Sequence, residues 1–151
     1  MIGKYYEIIP YDDGLDLQKT YHRQVLEGKE DTLLLMQHPN VYTLGRRGKE
    51  SDILVDAKKL SSLKIETYHT DRGGEVTYHG PGQIIVYPII NLKRLGIKPT
   101  DYVNTLITGI EHFLSSYEIK SDNRTLTGVW VTGEKIASLG IKVSKGVTTH
   151  G

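Results

Sequence analysis

Apolar positions along the chain change period several times, and the changes mark out its elements. Thr32-Leu33-Leu34-Leu35-Met36 is a continuous apolar run of strand length, and Ile84-Ile85-Val86-Tyr87-Pro88-Ile89-Ile90 is a second, richer in β-branched residues. Such runs read as buried strands. Residues 6–9 predict a first strand, Val41-Tyr42-Thr43 another after the His38-Pro39-Asn40 turn, and residues 64–68 alternate as a strand does. Helical spacing is clearest after Thr100, where Val103, Leu106, Ile107, Ile110, Phe113 and Leu114 line one face. Thr100 or Asp101 is the expected cap. Residues 15–26 read as an earlier helix stopped by Gly28, and residues 56–63 as a short one. Val129-Trp130-Val131, a turn containing Gly133, and a strand over residues 135–143 predict a hairpin. Strands cluster while helices come singly. The expected fold is therefore α/β of the α+β-like kind, a mixed β-sheet flanked by helices.

One segment fits neither period. Arg72-Gly73-Gly74-Glu75-Val76-Thr77-Tyr78-His79-Gly80-Pro81-Gly82-Gln83 holds four glycines and a proline. It predicts a shaped loop whose backbone approaches a ligand, set directly before a buried strand. Composition narrows the chemistry. A chain of 151 residues predicts one domain, 1–151, with a core of its own. Nineteen basic against 18 acidic residues leave no surplus for nucleic acid. No window approaches a membrane span, and the N-terminus has no apolar signal core, so a cytoplasmic protein without a membrane partner is expected. Six histidines show no metal-ligand spacing, and cysteine is absent, which removes thiolate chemistry from these residues.

Lys135 has two readings. If residues 135–143 form one regular strand, Lys135 shares a face with Ala137, Leu139, Ile141 and Val143. Desolvation at the mouth of that apolar stripe would lower its pKa and make it a general base. A lysine flanking a turn in water is the commoner case, and periodicity alone favours it. Among the other candidates, His79 reads as a substrate contact and His38-Pro39 as a turn. Arg46-Arg47 reads as solvated and Trp130 as core.

Taken in order, Arg72-Gly73-Gly74-Glu75-Val76-Thr77-Tyr78-His79-Gly80-Pro81-Gly82-Gln83, the upstream His38-Pro39-Asn40-Val41-Tyr42-Thr43-Leu44-Gly45-Arg46-Arg47-Gly48 and the downstream Gly128-Val129-Trp130-Val131 with Lys135-Ile136-Ala137-Ser138-Leu139-Gly140 resemble the octanoyltransferases of lipoate biosynthesis. Thr149-His150-Gly151 matches a further turn of that family. The resemblance implies a biotin/lipoate protein ligase-like fold and transfer of an octanoyl group from acyl carrier protein. The implied acceptors are lysines on lipoyl domains, those of 2-oxoacid dehydrogenase E2 subunits and of the glycine-cleavage H protein. It makes Lys135 catalytic. It makes Arg72, Gly73, Gly74, Glu75, Val76, Thr77, Tyr78 and His79, with Ser138, Leu139, Gly140 and Gly151, substrate-binding. No cofactor, ATP or metal is implied, because a donor thioester is already activated. An apolar slot would hold the acyl chain, at roughly 0.8 kcal/mol per methylene buried. Backbone N–H groups of Gly73-Gly74 would meet the thioester carbonyl.

The family's nucleophilic cysteine falls a short way past the His-Gly turn, so the chain is expected to be a C-terminally incomplete acyltransferase domain. Three alternatives stay open, one of them direct transfer from donor to acceptor inside the pocket without a covalent intermediate. An ATP-dependent lipoate– or biotin–protein ligase uses a lysine without a cysteine, although no P-loop is present. A non-catalytic homologue would bind acyl groups or lipoyl domains without turnover.

Overall fold

A computed structural model describes residues 1–122 and 127–151. In chain order the elements are β1 (Ile2–Ile8), α1 (Tyr11–Leu26), β2 (Thr32–Gln37), β3 (Val41–Leu44), α2 (Ala57–Ser62), β4 (Glu66–His69), β5 (Val76–His79), β6 (Ile85–Ile89), α3 (Leu92–Leu95), α4 (Pro99–Ser115), β7 (Val129–Val131), β8 (Glu134–Ala137), β9 (Ile141–Ser144) and β10 (Val147–His150). They fall into two compact units, Met1–Asn91 with Gly140–Gly151, and Leu92–Leu139. No helix among the described residues is long and apolar enough to cross a membrane.

The first unit is built on mixed sheets, as the pattern predicts. β2 lies between β1, parallel to it, and β6, antiparallel to it. β3 lies between β4, parallel, and β5, antiparallel. Val25, Leu34, Met36, Ile85, Tyr87, Ile89 and Val147 form the core, with α1 packed over β2, β6 and β10. Pro88 has no N–H to donate, and it sits on β6 at the edge of its sheet, where proline is tolerated. The buried Thr148 of β10 latches onto that edge. Its hydroxyl donates to the Pro88 carbonyl at 2.6 Å and accepts from Ile90 N–H at 2.8 Å, while its own N–H donates to the Ile90 carbonyl at 2.9 Å.

Several sequence expectations are corrected. Residues 76–79, expected to be loop, form β5, an edge strand that runs from Val76↔Leu44 to His79↔Val41. Its four partners on β3, Val41 to Leu44, supply the pairing that the glycine-rich composition hid. The first helix starts at Tyr11, four residues before its apolar spacing does. Its buried face is Tyr11, Gly14, Gln18 and Val25, too polar and too small to show as periodicity, and Pro10 opens it as the N-cap. Neither Thr100 nor Asp101 caps α4; Lys98 stands at the cap and Pro99 at the first helical position, where the missing N–H costs nothing.

The predicted strand over residues 135–143 is broken. β8 ends at Ala137, and β9 begins at Ile141 and turns back into β10. Lys145 (φ 51°) and Gly146 (φ 84°) make that turn, as Thr132 (φ 50°) and Gly133 (φ 90°) make the one between β7 and β8. Positive φ at both central residues is the type I′ hairpin geometry. Between the two hairpins Gly140 N–H donates to the Gly151 carbonyl at 2.6 Å. A side chain at Gly140 would put its Cβ 2.8 Å from the Gly73 carbonyl oxygen. Close approach to the glycine-rich segment, and no sheet partner, decides the backbone there.

Candidate active site

Three glycine-bearing segments of the first unit converge. Gly73 N–H donates to the Ile141 carbonyl at 2.9 Å, next to Gly140, and Gly140 in turn holds Gly151. Gly45, at the end of β3, faces the same segment: an added Cβ would lie 2.5 Å from the Gly74 carbonyl. Of the two expected N–H donors, Gly73 is thus already committed, while Gly74 takes a positive φ of 91°.

Arg72 is the centre of this arrangement. Only 7% of its surface is exposed, and every oxygen that accepts from it is neutral. Nη2 donates to the Thr43 carbonyl at 2.7 Å, to Thr43 Oγ1 at 2.9 Å and to the Glu75 carbonyl at 2.8 Å. Nη1 donates to the Gly73 carbonyl at 2.9 Å, and Nε to Thr43 Oγ1 at 3.3 Å. Burial disfavours the guanidinium charge, yet arginine stays protonated in proteins. A fixed positive charge therefore lies under the glycine-rich segment with no carboxylate bonded to it among the described residues.

The histidines around it are held neutral. Burial brings the His79 pKa down to about 4 and also lowers that of His38. His38, expected at a turn, is fully buried. Its Nδ1 donates to the Ile9 carbonyl at 2.8 Å, which leaves Nε2 to accept from the Tyr87 hydroxyl at 2.9 Å. Gly14 on α1 makes room for that ring, since a Cβ there would sit 2.7 Å from His38 Cε1. Burial pushes the Tyr11 hydroxyl up to about 12, and raises Tyr87 as well.

A second charged group flanks the first. Asp71, immediately before Arg72, accepts from His150 Nε2 at 3.0 Å and from Lys142. Burial works against the Asp71 carboxylate, but these two donors outweigh it and hold its pKa below the usual value. Desolvation lowers the pKa of His150 despite the carboxylate beside it. A cleft of about 550 Å³ opens here, lined by Gln18, Lys19, His22, Asp71, Lys142 and His150 among others. Among the described residues no group of His, Cys, Asp or Glu is arranged to hold a metal ion.

The remaining predicted residues divide between the units. Val76 and Thr77 are half-buried on β5, Tyr78 is exposed and donates to Asn40 Oδ1 at 2.7 Å, and Glu75 faces solvent 3.8 Å from Arg47 Nε. Lys135, Ser138 and Leu139 belong to the second unit. Lys135 is exposed, with its ammonium 4.9 Å from the centre of the Trp130 ring, a cation–π contact. The apolar stripe expected to desolvate it does not form, because β8 stops two residues later. Gly128 gives the lysine stem its room, since a Cβ there would lie 3.3 Å from Lys135 Cε. Thr43, Asp71, Gln83 and His150 were not singled out by type or spacing. Their only sequence signal is adjacency: each lies inside or next to a glycine-bearing motif.

The mixed-sheet scaffold has the fold of lipoate–protein ligases. It superposes over 99% of the chain on lipoate–protein ligase A bound with ATP, with a TM-score of 0.75 at 14% identity, covering 64% of that chain. A putative lipoate protein ligase from Thermoplasma acidophilum with bound lipoic acid gives 0.75 at 14%, covering 66%. Identity this low speaks for the fold alone. The sequence is more specific: the chain belongs to the lipoyl protein ligase A/B catalytic domain family, which matches residues 10–151. Similar curated proteins include the octanoyltransferase of Caldicellulosiruptor saccharolyticus, 45% identical over 97% of this chain and 64% of its own length. That of Bacteroides fragilis is 36% identical over 97% and 72%. The mitochondrial octanoyltransferase LIP2 of Arabidopsis thaliana is 43% identical over 80% and 52%. The chain thus spans about two thirds of the length of its bacterial relatives, and the family resemblance read from its motifs is borne out.

Proposed function

We propose that this chain carries the acyl-binding part of an octanoyltransferase, which moves an octanoyl group from acyl carrier protein to a lysine of lipoyl domains. Identity of 35–45% to octanoyltransferases along nearly the whole chain supports this reading most directly. The site suits it. Gly73, Gly74, Gly140 and Gly151 are assigned to substrate binding, and Gly74 N–H and the buried Arg72 favour charge developing on a thioester oxygen. Arg72 acts there from beneath, through the segment it holds. Carried over one by one from the family motifs, Val76, Thr77, Ser138 and Leu139 are assigned to substrate binding, and Lys135 to the base that accepts the thiol proton of the family's cysteine. Acceptors are the lipoyl domains of 2-oxoacid dehydrogenase E2 subunits and the glycine-cleavage H protein. The proposed setting is the cytoplasm.

The test uses the full-length gene product, octanoyl-acyl carrier protein and an unmodified lipoyl domain, with transfer followed by mass spectrometry. Octanoylation without ATP is expected, and Lys135→Ala should slow it by about a hundredfold or more. Transfer that requires free octanoate and ATP would instead establish a ligase, the reading that the fold neighbours keep open. Binding of the donor without turnover would establish an acyl-binding homologue.

A further inference from the structure

Thr43 is fully buried on β3, and its hydroxyl meets two functional side chains at once. Arg72 Nη2 and Nε donate to Oγ1 at 2.9 and 3.3 Å. Two donors occupy the acceptor side of a hydroxyl, which has two lone pairs and one hydrogen. That hydrogen must therefore point elsewhere. The Thr77 carbonyl lies at 3.5 Å and His79 Nε2 at 3.4 Å.

The far side of the imidazole is fixed independently. Gln83 Nε2 donates to the Tyr78 carbonyl at 3.3 Å, which turns its Oε1 toward His79 Nδ1 at 2.7 Å. An amide oxygen only accepts, so Nδ1 carries the ring hydrogen and Nε2 is a bare lone pair. A lone pair at this half-buried ring is satisfied by a donor, and Thr43 Oγ1 is the hydrogen-bond partner found for it among the described residues. The polarity of the whole chain of bonds then agrees, from the guanidinium through the hydroxyl and imidazole to the amide.

We infer that Thr43 is a positioning residue, whose hydroxyl, pinned by Arg72, holds His79 in its neutral Nδ1–H tautomer. Both ring nitrogens of His79 are consumed inside the protein, so the imidazole shapes the wall of the site and moves no proton. The tautomer is a property of the free protein. Its importance for acyl transfer rests on the function proposed above.

Two-bond nitrogen–proton NMR spectra of the ¹⁵N-histidine-labelled chain at neutral pH read the tautomer, with His79→Gln assigning the signals. Pyrrole-like Nδ1 and pyridine-like Nε2 are expected in the wild type and in Thr43→Ser. Thr43→Val and Gln83→Leu should each lose that separation. Gln83 is at the surface, so its variant decides the matter should Thr43→Val not fold. A ring hydrogen on Nε2 in the wild type, or unchanged spectra in the variants, overturns the inference. In the full-length protein Thr43→Val should lower octanoyl transfer roughly tenfold, the scale of one hydrogen bond to a charged group, and Thr43→Ser should restore it. A shifted tautomer with undiminished transfer overturns the positioning role. Absence of transfer from the wild type overturns the proposed function and leaves the spectra to judge the tautomer.

Discussion

Arg72 gives the glycine-rich segment its rigidity, because its guanidinium bonds the Gly73 and Glu75 carbonyls on one side and Thr43 on the other. Glycine at position 45 is the other half of that fit. A Cβ there would lie 2.5 Å from the Gly74 carbonyl and 2.8 Å from Arg72 Nη1. Neither is a flexible side-chain end, since the arginine is itself fixed by its bonds. Gly45→Ala should therefore cost about 1–3 kcal/mol, as overpacking does, measured by denaturant unfolding. A loss below 0.5 kcal/mol would show that the segment yields easily. The glycines were legible in the sequence because their density is unusual. Thr43 was not, since a threonine in a strand is ordinary and only the arginine 29 residues away makes it a hub.

At the level of elements, strands and helices were readable where burial is apolar and one-sided, as in β2, β6 and α4. They were obscured where tertiary contacts overrode local pattern, as at β5 and at the break between β8 and β9. Helix α4 tests local propensity by itself. Gly109 is exposed within it and has open space around a built Cβ, so Gly109→Ala should stabilise the protein by about 0.5–1 kcal/mol. Thermal unfolding of the unit containing α4, followed by Trp130 fluorescence, would show this as a raised midpoint. An unchanged midpoint would mean that α4 is intact in the unfolded reference as well. The latch of β10 on β6 tests the opposite case, where no propensity is involved. Thr148→Val keeps the shape but takes this partner from the buried Pro88 carbonyl and the half-buried Ile90 N–H. The expected cost is about 1–3 kcal/mol, the penalty for buried unpaired groups, and a neutral result would show that water enters beside β10.

For the first unit as a whole, burying His38, His79 and His150 makes stability depend on acid. All three pKa values are lowered by desolvation in the folded chain. The unfolded chain then binds more protons once the pH falls below the ordinary histidine value of about 6.5, so protonation favours unfolding. Stability is fully present above that value and declines as the pH descends toward the folded-state values. For His79, whose folded pKa is about 4, the loss approaches about 3 kcal/mol at pH 4. His38 and His150 add to it in the same direction. Asp71, whose pKa is also lowered, extends the decline below the ordinary carboxylate range. Far-UV circular dichroism should show the unfolding midpoint falling steadily between pH 7 and pH 4. His79→Gln, which keeps a polar side chain but cannot titrate, should flatten that slope even where it lowers stability at neutral pH. Trp130 belongs to the other unit, so its fluorescence is the wrong probe for this decline. A midpoint constant from pH 7 to pH 4 would mean that the three imidazoles take up protons in the folded chain, and that the buried network around Arg72 opens to water before the unit unfolds.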